Sequence, residues 1–172
     1  INSQAVRWVE RAGQADSRRE FHPADFVRSQ GTLYSLSKEG GGSTGPLVTA
    51  LTVAVTEAAE DYAKTQPGGR LAVPMLLVLD EAANICRWNN LPDLYSHYGS
   101  RGISIITILQ SWSQGVEVWG RDGMQKLWTA ANAKLYLGGV DEDQFLSSLS
   151  QLIGEYELTS RSTSRSATGT TN

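Results

Sequence analysis

The sequence predicts an α/β domain built on a parallel sheet, and three stretches predict it. Pro74 is followed by Met75-Leu76-Leu77-Val78-Leu79, an unbroken apolar run that ends abruptly at two adjacent carboxylates, Asp80 and Glu81. Ile103-Ser104-Ile105-Ile106-Thr107-Ile108-Leu109 is a second run, rich in β-branched residues, and ends at Gln110. Between them Leu91 to Tyr98 fits a short helix, so the two runs have the spacing of a βαβ unit, whose crossover lays its strands parallel. An apolar run without alternation reads as a strand covered on both faces, the situation of a central strand in a parallel sheet.

The 172 residues suit one domain, and 40% hydrophobic content lies within the globular range. No apolar run approaches the roughly 18 to 20 residues that cross a bilayer, so the chain reads as soluble. Ile1 at the start and a last stretch, Thr159 to Asn172, in which nine of fourteen residues are Ser or Thr, read as the ends of a piece of a longer protein. One cysteine, Cys86, excludes an internal disulfide, and two scattered histidines, His22 and His97, have no metal-ligand spacing. A net charge of −3 with a pI near 5.4 argues against a basic nucleic-acid-binding domain, whose phosphate contacts need clustered Lys and Arg.

Taken in order, residues 1–30 read as a helical lead-in, with an amphipathic helix around Ala5 to Ala12 and a helical turn near Pro23 to Ser29. Its five arginines face four acids, the pattern of a solvated surface. Gly31 to Ser37 has the residue types of a first strand. From Pro46 to Thr65 the apolar residues Leu47, Val48, Leu51, Val55, Ala58, Ala59 and Tyr62 recur at helical spacing, with Thr44 as a candidate N-cap. Gln66 to Arg70 is a turn. After Asn84 comes a loop with Trp88, whose expected place is against the edge of the sheet. Ser111 opens a helix to about Ala131, with Trp119, Leu127 and Trp128 as core candidates. Lys134-Leu135-Tyr136-Leu137 reads as the last strand, and Asp141 as the N-cap of a helix through Ile153 that stops at Gly154.

Gly40, Gly42 and Gly45 satisfy G-x-G-x-x-G between a predicted strand and a predicted helix, the setting of a dinucleotide fingerprint. A dinucleotide-binding oxidoreductase fragment is therefore one reading. Against it, Pro46 removes an amide donor, and no acid ends a strand about 20 residues on. Nor is the stretch a phosphate loop: where that loop needs Lys and then Ser or Thr, the chain has Pro46 and Leu47. A turn leading into a helix accounts for these glycines.

Ligands of parallel sheets bind at the carboxyl ends of the strands. Asp80 and Glu81 stand at that edge, where one carboxylate can hold a hydrated magnesium ion and its neighbour can polarise an attacking water, the chemistry of a Walker B strand. A parallel neighbour brings Gln110 to the same edge, where an amide can bond a terminal phosphate or orient the water. The same acids also suit an ordinary solvated loop.

Five stretches together resemble, in order, the TraG/TraD type of conjugative coupling protein. They are Leu79-Asp80-Glu81-Ala82-Ala83-Asn84, Ser100-Arg101-Gly102-Ile103, Leu109-Gln110-Ser111-Trp112-Ser113-Gln114, Asn132-Ala133-Lys134 with Gly138-Gly139, and Leu149-Ser150-Gln151-Leu152-Ile153-Gly154. The resemblance covers roughly Phe21 to Leu158 and implies a RecA-like P-loop NTPase fold, present here as a partial domain over residues 31–158 without its phosphate loop; the Ser/Thr-rich composition of 159–172 reads separately as a disordered tail. It implies an ATP-driven motor, hexameric when active, on the cytoplasmic side of the inner membrane, handing DNA or protein substrates to a type IV secretion channel. ATP and Mg are the implied cofactors: Asp80 would serve magnesium through water, Glu81 the attacking water, and Gln110 the γ-phosphate. Arg101 has two readings, an arginine finger toward a neighbouring subunit's nucleotide or a cap on the preceding helix. The phosphate loop and membrane helices of the family would lie upstream of Ile1, so the resemblance implies a fragment that makes no membrane contact and is inactive alone. The alternative is a non-catalytic module that docks a relaxosome partner.

Overall fold

The computed structural model describes residues 17–36, 45–139 and 141–154. The chain divides into two compact units, Ile1–Val140 and Asp141–Asn172. In the first, the described elements are helix α1 (Pro23–Phe26), helix α2 (Gly45–Lys64), a 3₁₀ turn (Pro67–Gly69), strand β1 (Met75–Leu79), a one-turn helix α3 (Ala82–Ile85), helix α4 (Leu91–Ser100), strand β2 (Ile103–Thr107) and helix α5 (Trp112–Ala130). The second contains helix α6 (Asp143–Ile153).

The two strands pair in parallel, Met75 opposite Ile103 through Leu79 opposite Thr107, with α4 as the crossover. The helices α2, α4 and α5 supply the core partners of one sheet face. Ala59 and Ala63 of α2, Leu91 and Tyr98 of α4, and Met124 and Leu127 of α5 form one buried cluster with Leu79 and Ile103. Small residues on α2 let it approach closely, and Thr56, fully buried there, satisfies its hydroxyl on the Thr52 carbonyl at 2.7 Å. Gly115 of α5 serves close packing too, since a side chain there would run into the Met124 sulfur.

Trp88 is one of the best-buried aromatics, 3% exposed, tilted against Tyr98 with ring centroids 5.7 Å apart. Its carbonyl accepts from the Trp119 indole N–H at 2.8 Å, which ties the loop after α3 to α5. Gly120, at φ 70 and ψ 171, breaks the helical path of α5.

Four expectations are corrected. The sheet is covered on one face only: Leu76 and Val78 remain 60% and 54% exposed, because no described helix lies over that side. Residues 31–36 and 134–137 have no strand pairing, and Leu36 and Leu137 are more than nine-tenths exposed. Both segments carry strand-forming residues, but a strand needs a neighbour and none reaches them among the described residues. Finally, Glu142 rather than Asp141 occupies the N-cap of α6, without a side-chain cap bond, while Gly154 ends that helix as expected at φ 71. The amphipathic stretch at Ala5 to Ala12, Thr44, Gly40, Gly42 and the tail from Thr159 lie outside the described residues. Gly45 opens α2. Among the described residues no helix is long and apolar enough to cross a membrane.

Candidate functional site

The two ends of the strand pair are built differently. At the amino end, two arginines pair with backbone carbonyls. Arg70 donates from Nη1 to the carbonyls of Gly99 and Ser100 at 2.8 and 3.2 Å, in the last turn of α4, where Gly99 also accepts from the Gly102 N–H at 3.2 Å. Arg101 is the C-cap residue of α4, and its Nη1 donates to the Gly69 carbonyl at 3.0 Å. Gly102 then turns into β2 at φ 80, with Leu71 so near that a Cβ would stand 3.2 Å from its carbonyl oxygen.

At the carboxyl end, the ladder continues one step beyond the strands and then lets two residues out. Ile108 donates to the Leu79 carbonyl at 3.0 Å and accepts from the Ala82 N–H at 3.1 Å. Asp80 and Glu81 occupy the turn between those two anchor points, Asp80 exposed and Glu81 half-buried. Glu81 has φ 50 and ψ 42, the one non-glycine with positive φ among the described residues. A left-handed backbone costs an L-residue about 1–2 kcal/mol, so the surrounding bonds hold Glu81 in place against its own preference.

Those bonds involve both carboxylate oxygens. Asn84 Nδ2, one turn along α3, donates to Glu81 Oε2 at 2.9 Å. Gln110 Nε2, from beyond the neighbouring strand, donates to Glu81 Oε1. Gln114 Nε2 in turn donates to Gln110 Oε1 at 3.2 Å. The Asn84 bond, and after it the Gln110 bond, hold the Glu81 carboxyl below its ordinary pKa, because both donors favour the ionised form.

The fold thus brings Asp80, Glu81 and Gln110 to one edge, and places Arg101 at the opposite end of the strands. Asn84 and Gln114 belong to the same cluster, although their sequence positions suggested no role. The available signal was spacing: Glu81 and Asn84 are three apart at a helix start, and Gln110 and Gln114 four apart.

Among the described residues no three His, Cys, Asp or Glu side chains gather to hold a metal unaided. The acids here fit a hydrated magnesium ion, which takes one or two carboxylates and draws its other ligands from water and phosphate oxygens.

The crossover, the parallel pair and the polar cluster at the strand ends define a mixed α/β chain with a side-chain site at the carboxyl edge of its sheet. The chain belongs to the family described as the TraM recognition site of TraD and TraG, whose model matches residues 74–172. That range takes in both strands and the whole cluster, and it agrees with the likeness to TraG/TraD-type coupling proteins read from the sequence. No curated protein and no solved structure matches the chain.

Proposed function

We propose that this chain works in a conjugative coupling protein, where it carries a surface that recognises the relaxosome component TraM and the water-activating edge of an ATP-driven motor with a RecA-like fold. The observation that carries the motor reading is the meeting of Glu81 and Gln110 across two parallel strands. Magnesium and ATP, when bound, supply the electrophilic phosphorus and the charge neutralisation that let acids stand beside a triphosphate. Asp80, exposed next to the strand end, would hold magnesium through water. Glu81, ionised and aimed by two amides, accepts the proton of the attacking water. Gln110 bonds Glu81 and lies where it can orient that water or the terminal phosphate.

The motor works as a homo-hexamer on the cytoplasmic face of the inner membrane and passes DNA or protein to a type IV secretion channel. Arg101, bound to the Gly69 carbonyl, acts as a cap in this reading, since an arginine finger would have to give up that bond.

A second reading, a docking module for TraM without catalysis, is favoured by the family's description and by the engagement of both Glu81 oxygens with amides. One pair of assays separates the two. In a coupling protein that joins this sequence to a phosphate loop, Glu81→Gln abolishes ATP turnover and leaves TraM binding unchanged if the motor reading holds. Unchanged turnover would leave the docking reading alone.

A further inference from the structure

We propose that Gln114 is a positioning residue that sets the polarity of the Gln110 amide and through it the placement of Glu81. The argument is one of donors and acceptors. An ionised carboxylate accepts only, so Gln110 must turn its NH₂ toward Glu81 Oε1. Its carbonyl oxygen then points the other way, and whatever meets it must donate. Gln114 Nε2 does so at 3.2 Å. Reversing any one amide in the chain Gln114, Gln110, Glu81 sets acceptor against acceptor.

The local helix geometry gives a second reason to regard this contact as specific. Ser111 and Gln114 stand as N-cap and N3 of α5, the spacing of a capping box, in which the N3 side chain reaches back to the N-cap backbone. Half of that box forms: Ser111 Oγ accepts from the Gln114 backbone N–H at 3.2 Å. A capping box calls only on the oxygen of the N3 side chain, so the Gln114 NH₂ donates to Gln110 Oε1 at no cost to the helix. The Ser111 bond fixes the Gln114 backbone at N3, and the side-chain donor then meets the amide that holds Glu81.

The consequence for catalysis rests on the motor reading above, whereas the polarity relay itself stands on geometry. If Glu81 is the proton acceptor, Gln114 governs its aim without touching water, metal or nucleotide.

The test reads the relay without nucleotide, by solvent exchange of the Gln110 Nε2 protons in NMR spectra of the 172-residue chain. Gln114→Glu is the sharpest variant. An acid at N3 is favourable to the helix, so folding is secured, but it replaces the donor facing Gln110 Oε1 by an acceptor. The relay predicts that exchange speeds up about tenfold or more, the equivalent of losing one net hydrogen bond. Gln114→Lys retains a donor and stays within about twofold of the wild type, since an ammonium only donates. Gln114→Ala falls between them, because water replaces the lost donor.

A residue that merely packs gives the reverse order for the last comparison, with Ala more disruptive than Glu. That order, or exchange that does not respond to Gln114→Glu, would overturn the proposal. The Ala and Glu variants suffice if the Lys variant fails to fold. Failure of the relay in this measurement leaves the turnover test of Glu81→Gln untouched, and failure of that test leaves the relay standing.

Discussion

The amino and carboxyl ends of the same two strands are both polar, and they use polarity in opposite ways. At the amino end the cations of Arg70 and Arg101 pair with backbone carbonyls of Gly99, Ser100 and Gly69, and glycines, Gly68, Gly69 and Gly102, take the positive-φ positions. The guanidinium bonds there all go to backbone carbonyls. At the carboxyl end side chains bond to side chains, the acids reach the surface, and a glutamate takes the left-handed conformation that a glycine would adopt more easily. A non-glycine residue held in a left-handed conformation by neighbouring amides is the kind of feature that motivates the proposed site. The comparison teaches that the amino end serves the backbone, while the carboxyl end, where the proposed chemistry lies, keeps a strained side-chain cluster at the surface.

The largest expected effect breaks the stable end. Gly102→Val forces a β-branched side chain into positive φ and against the Leu71 carbonyl, so it should destabilise the chain by about 3 kcal/mol in urea unfolding. Arg101→Ala comes next: it frees the Gly69 carbonyl and removes a charged donor, for a loss of about 1.5–3 kcal/mol. ATP turnover per folded molecule should be unchanged in that variant, and a collapse of turnover would instead make Arg101 a finger.

The carboxyl end should behave in the opposite way. Glu81→Gly gives up two side-chain bonds but also relieves the left-handed backbone, so stability should stay within about 1 kcal/mol of the wild type. Gln110→Ala should likewise fold normally, while lowering kcat with little change in nucleotide affinity, as expected of a contact made mainly in the transition state. A loss of stability equal to that of Gly102→Val would erase the distinction between the ends.

Acid sharpens the same contrast by the smallest effect. Glu60 on α2 is held below its ordinary 4.5 first by the Lys64 hydrogen bond and, against the opposing effect of burial, also by His97 at 3.2 Å; Glu81 is lowered by Asn84 and Gln110. A carboxyl with a depressed folded pKa stabilises the fold above its unfolded pKa and loses that contribution as pH falls through the folded value. Thermal unfolding should therefore show stability steady near neutrality and declining from just above pH 4.5 downward. Glu60→Gln should flatten this decline more than Glu81→Gln, because Glu60 meets two basic partners, Lys64 and His97, whereas neutral amides hold Glu81.

Much of this was legible in the sequence. The spacing of Leu51, Val55 and Ala59 specifies α2 locally, and the β-branching of Ile103 to Thr107 specifies β2. The convergence of Glu81 and Gln110 follows from a parallel βαβ unit, since the crossover returns both strand ends to one edge. What could not be read was non-local or depended on side-chain direction. The runs at 31–36 and 134–137 have the residue types of strands, but pairing depends on a neighbour elsewhere in the chain. The apolar run of β1 suggested cover on two faces, yet Leu76 and Val78 meet solvent because helices pack on one. Asn84 and Gln114 stood in the motifs without a role, because spacing does not say which way an amide turns.

The isolated chain should neither bind Mg-ATP tightly nor hydrolyse it, since it has no lysine and hydroxyl in phosphate-loop spacing and its two acids repel a polyanion. Titration calorimetry checks this, and sub-millimolar, magnesium-dependent binding would reveal a phosphate site elsewhere in the chain. The most direct test of the division between the ends is ATP turnover of Glu81→Gln in a coupling protein that joins this sequence to a phosphate loop, with TraM binding measured alongside. Turnover should fall on the order of 10²- to 10⁴-fold, the usual worth of general-base assistance, with nucleotide and TraM affinity retained. Wild-type turnover from a folded Glu81→Gln protein would contradict the assignment of chemistry to this end of the sheet.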